Sequence, residues 1–144
     1  MINKSGGNDQ YDDFPFRSYM LKHNCIFIHI PKTAGTSIAS AIMGKDVYRD
    51  HLPQYFYHQA NRSFFEQAFK FSFVRNPWDR AVSIYHYLKN QKPNGVVDQY
   101  FSTLFTGKIT NFEMFVNYLM DNGIENFTLF QSQSFYLLDY KNDI

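Results

Sequence analysis

A strand-length apolar run that halts at a proline and reopens as a helix leaves this chain few folds to choose from. Cys25-Ile26-Phe27-Ile28-His29-Ile30 is short, β-branched and aromatic, which suits a parallel strand covered on both faces. It stops at Pro31. Lys32-Thr33-Ala34-Gly35-Thr36-Ser37 then forms a tight turn into Ile38–Met43, whose apolar spacing is helical and whose stop signal is Gly44. The same grammar returns at Phe69-Lys70-Phe71-Ser72-Phe73-Val74, which breaks at Arg75-Asn76-Pro77. There Asn76 is a good N-cap and Pro77 a good first helical residue, predicting a helix from Pro77 to about Leu88. Two strand-to-helix units predict parallel strands joined by a right-handed crossover, with both loops at the strands' carboxyl ends sharing one crevice. Farther on, Thr110 and Glu113 have capping-box spacing ahead of a helix over Phe112–Met120 that stops at Gly123. Residues 45–65 and 124–144 carry no decisive pattern.

At 144 residues the chain has mass for one domain. Residues 1–20 read as a flexible polar lead-in, and residues 21–144 as that domain. With 16 Phe and 11 Tyr the core and cleft should be built from large rings. Lys and Arg number 14 against 13 Asp and Glu, a formal charge of +1, so no global field draws the protein to nucleic acid. An anionic ligand must be caught by local groups. Cys25 is the only cysteine, which excludes an internal disulfide framework and fits a reducing, cytoplasmic setting. No stretch has the length of a membrane span.

Those local groups gather in the first loop. A helix N-terminus offers unpaired N–H groups and a positive dipole end, and here the Lys32 ammonium and the Thr36 and Ser37 hydroxyls accompany it. This suits phosphate. The spacing is not that of a Walker loop, because Lys32 precedes the single Gly35 by three positions and no Lys stands directly before the Ser/Thr pair.

Ile28-His29-Ile30-Pro31-Lys32-Thr33-Ala34-Gly35-Thr36-Ser37 resembles the 5′-phosphosulfate loop of the sulfotransferase superfamily, in the branch that includes carbohydrate sulfotransferases of the family 2 type. Phe73-Val74-Arg75-Asn76-Pro77-Trp78-Asp79-Arg80-Ala81-Val82-Ser83 resembles that family's 3′-phosphate element, where the Arg and the Ser eight residues later bind the phosphate. Arg75 just before the cap and Ser83 almost two turns inside can face one groove. Phe130-Gln131-Ser132-Gln133 is similar to a later family loop.

The resemblance implies an α/β fold, a P-loop-like parallel sheet flanked by helices as an αβα sandwich. It is expected in minimal or truncated form, because the family carries a further glutamate-containing segment that helps close the pocket. It also implies transfer of a sulfuryl group from 3′-phosphoadenosine 5′-phosphosulfate (PAPS) to a hydroxyl, that of a carbohydrate, with no metal. Lys32, Thr33, Ala34, Gly35, Thr36, Ser37, Arg75 and Ser83 would bind the cofactor, and Lys32 would stabilise the leaving group. For the base, the resemblance favours His51, in a segment where relatives often carry a histidine, with His58 in reserve.

Other residues read as structural. Asp79 and Arg80 are expected as an exposed helix-start pair, and Trp78, Tyr85, Tyr87 and Leu88 as core or cleft wall. His29 is expected to be packed within its strand and His86 to be solvated. No histidine has metal-ligand spacing. Two other functions remain: a non-catalytic nucleotide- or glycan-binding remnant of the same fold, and a P-loop kinase or nucleotidase relative, against which the loop spacing speaks.

Overall fold

In the computed structural model, residues 14–43, 50–90, 100, 103–105, 107–123 and 128–138 are described. They comprise helices and a small parallel sheet, in the order α1 (Ser18–His23), β1 (Cys25–Ile28), α2 (Gly35–Met43), α3 (Gln54–Ala60), α4 (Arg62–Gln67), β2 (Phe69–Ser72), α5 (Pro77–Asn90) and α6 (Phe112–Asn122). Short 3₁₀ turns follow at Thr128–Phe130 and Ser134–Tyr136. This is a mixed α/β arrangement, as expected. The chain divides into two compact units.

The first unit takes the chain up to Ile30, Gly35–Phe73 and the segment from Gln133. Its centre is β1, with Ile26, Phe27 and Ile28 at 2% exposure or less, which only an unbroken apolar run can satisfy. β2 pairs parallel to it, with Cys25 opposite Phe69 and Ile28 opposite Ser72. The strands are two residues shorter than the apolar runs suggested. The ladder ends where the Ser72 hydroxyl donates to the Ile28 carbonyl at 2.7 Å, just before Pro31 removes a donor from the chain.

Ahead of β1, α1 closes on Asn24 in the left-handed conformation (φ 48°, ψ 49°), a residue type that tolerates it. Phe16 and Met20 are buried in the same core as β1, so packing begins ahead of residue 21. Residues 54–67, all but the last two of which lie where the sequence showed no decisive pattern, form two helices that meet at Asn61. Its N–H closes α3 on the Tyr57 carbonyl, while its side chain accepts from Phe64 N at 3.0 Å to open α4.

The second unit takes Pro31–Ala34 and residues 74–132. Asn76 caps α5 as expected, its Oδ1 accepting from Trp78 N at 3.0 Å. The α6 cap differs from the expected Thr110/Glu113 box: Asn111 Oδ1 accepts from Met114 N at 2.9 Å, one residue later, and the Thr110 hydroxyl turns to the Met114 sulfur. Gly123 ends α6 at φ 78°, where a Cβ would be strained. Ile84, Tyr85 and Leu88 of α5 meet Phe115 and Leu119 of α6 in the core, and the Tyr85 ring lies about 5.5 Å from those of Phe105, Phe112 and Phe115. Such tilted and edge-on ring pairs add to plain area burial. Trp78 departs from its expected core or wall position: it is 81% exposed, in the first turn of α5.

Candidate functional site

The first loop divides at Ala34. Pro31–Ala34 belongs to the second unit, and Gly35, Thr36 and Ser37 open α2 in the first. Pro31 and Thr33 are buried, Lys32 is half-buried, and Ala34, Thr36 and Ser37 are exposed. Lys32 and Ala34 both adopt φ 66°, a left-handed conformation that costs a residue with a Cβ about 1–2 kcal/mol. Two such residues in one turn must be held by their surroundings, and strain of this kind clusters at ligand sites.

Arg80 does much of the holding. Its Nε donates to the Pro31 carbonyl at 2.9 Å, Nη1 to the Gln131 carbonyl at 3.0 Å and Nη2 to the Leu129 carbonyl at 2.9 Å. At 7% exposure it is a buried clamp, which corrects the expectation of a solvated helix-start charge. The planar guanidinium fork can reach three carbonyls at once, where a lysine would offer a single nitrogen. A hint lay in the sequence: a cation in the first turn of a helix opposes the macrodipole and needs a reason to be there.

The side chain of Lys32 lies over Tyr87, its Nζ 4.1 Å from the ring centroid. Arg80, Ser83 and Tyr87 are three and four residues apart, so they fall within about 60° of one another around the α5 axis. Ser83 therefore sits on the helix face whose two flanking members both touch the first loop. Asp79 is exposed, as is Arg75, which ends the loop before the Asn76 cap. Among the proposed ligands, Lys32, Thr33, Ala34, Arg75 and Ser83 thus belong to the second unit; Gly35, Thr36, Ser37 and the candidate base His51 belong to the first.

In the first unit, Gly35 is needed for a reason the sequence did not reveal. A Cβ there would lie 2.1 Å from Cδ2 and 2.2 Å from Nε2 of His29. The His29 imidazole is 6% exposed, packed as expected, stacked on Phe27 (centroids 5.4 Å apart, 14° between planes) and met edge-on by His51 at 4.6 Å. His51 is half-buried; beside it in sequence, Asp50 accepts from Arg17 Nε at 2.6 Å. His58 meets Phe65 edge-on at 5.4 Å.

A small cavity lined by Tyr19, Phe27, His29, Asp50 and Tyr57 has a volume of about 10 Å³, room for one water and far too little for a nucleotide or sugar. Burial pushes the Tyr19 and Tyr57 phenols well above the ordinary tyrosine range, so both are neutral donors at neutral pH. Among the described residues no group of three or more His, Cys, Asp or Glu is placed to hold a metal ion, and no helix is long and apolar enough to cross a membrane.

Within the second unit, a cation on a constrained turn and a Ser on the helix that anchors that turn are chemistry suited to an anion. A family model described as the sulfotransferase family matches residues 20–135. No curated protein and no solved structure matches the chain significantly.

Proposed function

Because the chain belongs to the sulfotransferase family, we propose that it moves a sulfuryl group from PAPS to a hydroxyl, that of a carbohydrate. The observation that carries this reading is the position of Ser83 along α5 between Arg80 and Tyr87, both of which touch the Lys32 loop. A ligand bearing two phosphate groups suits such a pairing. In this reading Lys32, Thr33, Ala34, Gly35, Thr36 and Ser37 receive the 5′-phosphosulfate, and Arg75 and Ser83 receive the 3′-phosphate.

The acceptor oxygen attacks sulfur in line. A new S–O bond forms as the bond from sulfur to the bridging oxygen breaks, and its electron pair leaves on the 5′-phosphate of adenosine 3′,5′-bisphosphate. Lys32 and the N–H groups at the start of α2 stabilise that developing charge, the role a metal ion takes in many phosphoryl transfers, so we propose a metal-independent reaction. The acceptor's proton passes to the His51 imidazole, the side-chain type most often used as a general base. We place the protein in a reducing, cytoplasmic compartment, supported by a single cysteine whose thiol pKa burial raises, which lowers its reactivity.

The test is incubation with PAPS labelled in sulfur and a panel of glycans and simple alcohols. Label should move to at least one carbohydrate in EDTA. Label retained on the donor with every acceptor would overturn the transferase reading and leave a binding domain.

A further inference from the structure

We infer that Tyr87 and Arg80 are positioning residues that hold Lys32, side chain and backbone respectively, in register for sulfuryl transfer. The inference rests on the proposed function for its catalytic consequence, but its geometric core does not. Lys32 stands at φ 66°, which a residue with a Cβ keeps only where its surroundings impose it. Two contacts from one helix help to impose it here. Arg80 Nε fixes the Pro31 carbonyl, which belongs to the peptide group directly preceding Lys32, at 2.9 Å. Almost two turns farther along the same face, the Tyr87 ring receives the Lys32 ammonium at 4.1 Å from its centroid.

At Tyr87 the ammonium meets a ring face, and the chemistry of that contact differs from that of a carboxylate. A carboxylate partner would neutralise the cation and compete with the anionic donor. A π face orients the ammonium yet leaves its charge intact for a leaving group. Tyr87 is half-buried, so the attraction is worth more than at an open surface and the ring is not free to swing away. Arg80 cannot be replaced by lysine in this scheme, since one ammonium cannot reach the carbonyls of Pro31, Leu129 and Gln131 together.

The first arm of the test needs no substrate. The full chain is treated with a limiting lysine-acylating ester, and modification at Lys32 is followed by peptide mass spectrometry. Tyr87→Leu should speed acylation of Lys32 roughly threefold to thirtyfold, the range of a lost cation–π contact, with other lysines unchanged. Tyr87→Phe, which keeps the ring, should stay near the parent rate. An unchanged Lys32 rate in Tyr87→Leu overturns the inference whatever the activity proves to be.

The second arm reads turnover. Tyr87→Leu should lower kcat by a similar factor while the Kd for adenosine 3′,5′-bisphosphate moves little, and Tyr87→Phe should recover most of the loss. In a Lys32→Ala background, Tyr87→Leu should cost nothing further, because its effect passes through Lys32. Full additivity of the two losses would contradict that route. Arg80→Lys should likewise raise Lys32 acylation; if it fails to fold, the Tyr87 variants still decide. Should the parent transfer no sulfur to any acceptor, the proposed function fails, and the acylation arm still confirms or refutes the positioning.

Discussion

Replacing Gly35 by alanine adds one methyl group, and its cost can be worked from the packing around it. No positive φ is involved, so the backbone itself would accept alanine, and helix propensity at the start of α2 would favour it by something under about 1 kcal/mol. The obstacle is His29, whose ring atoms would lie 2.1 and 2.2 Å from the new carbon. That ring cannot swing aside cheaply, being 6% exposed and packed between Phe27 and His51. Overpacking of this kind costs about 1–3 kcal/mol. After the propensity gain the net loss should be about 1–2 kcal/mol, which lowers a urea midpoint by roughly 0.5–1 M at ordinary m-values. The signature is in the coupling. His29→Ala removes the clashing ring, so Gly35→Ala should be far less harmful in that background, with an interaction energy of about 1–2 kcal/mol between the two sites. Urea unfolding of the four proteins of this cycle, followed by tryptophan fluorescence and circular dichroism, measures it. Additive effects, or a neutral Gly35→Ala, would refute the argument that His29 dictates glycine.

The other expectations concern the proposed ligands and the buried phenols. Arg75→Ala should erase most of the preference for PAPS over its analogue lacking the 3′-phosphate, a loss of roughly tenfold to a hundredfold by competition binding; equal weakening of both would mean that Arg75 only braces the loop. His51→Ala should keep bisphosphate binding while lowering the transfer rate roughly a hundredfold to ten-thousandfold and abolishing the acidic limb of the pH–rate profile; near-normal transfer would pass the role to His58 or a carboxylate. Burial raises the Tyr19 and Tyr57 pKa values in the folded state, so their contribution is complete below the unfolded value near 10 and is lost as pH rises above it. Stability measured by urea between pH 9 and 11.5 should fall toward about 1.4 kcal/mol per pH unit for each phenol, and Tyr57→Phe should remove one share; an unaltered slope in that variant would contradict the assignment.

What could be read in advance was what local chemistry decides. The β-branched run at Cys25–Ile28, the Asn76-Pro77 helix start and the Gly123 stop each carry their signal within a few residues. Arg80 could not be read that way, because its partners lie 49 and 51 positions away and are backbone carbonyls, which leave no mark on side-chain identity. Gly35 carried a visible signal, yet the imidazole six positions earlier that excludes a Cβ emerges only when β1 and α2 are packed. Asn61 and Asn111 were both legible cap types. Asn61 lay in a segment without helical periodicity, and Asn111 stood beside Thr110, whose spacing to Glu113 offered an equally good local solution. Trp78 misled because large rings usually pack, whereas here it stands exposed in the first turn of α5.

That the Lys32 loop and the Arg75/Ser83 element each receive one phosphate of the same nucleotide is tested most directly by calorimetry with adenosine 3′,5′-bisphosphate in EDTA. Binding should appear without metal and should weaken on titration with adenosine 5′-phosphate in place of the bisphosphate, by roughly tenfold or more for the lost charge-assisted contacts. Heat that is undetectable up to millimolar ligand, that appears only with magnesium, or that is the same for both nucleotides would contradict the account.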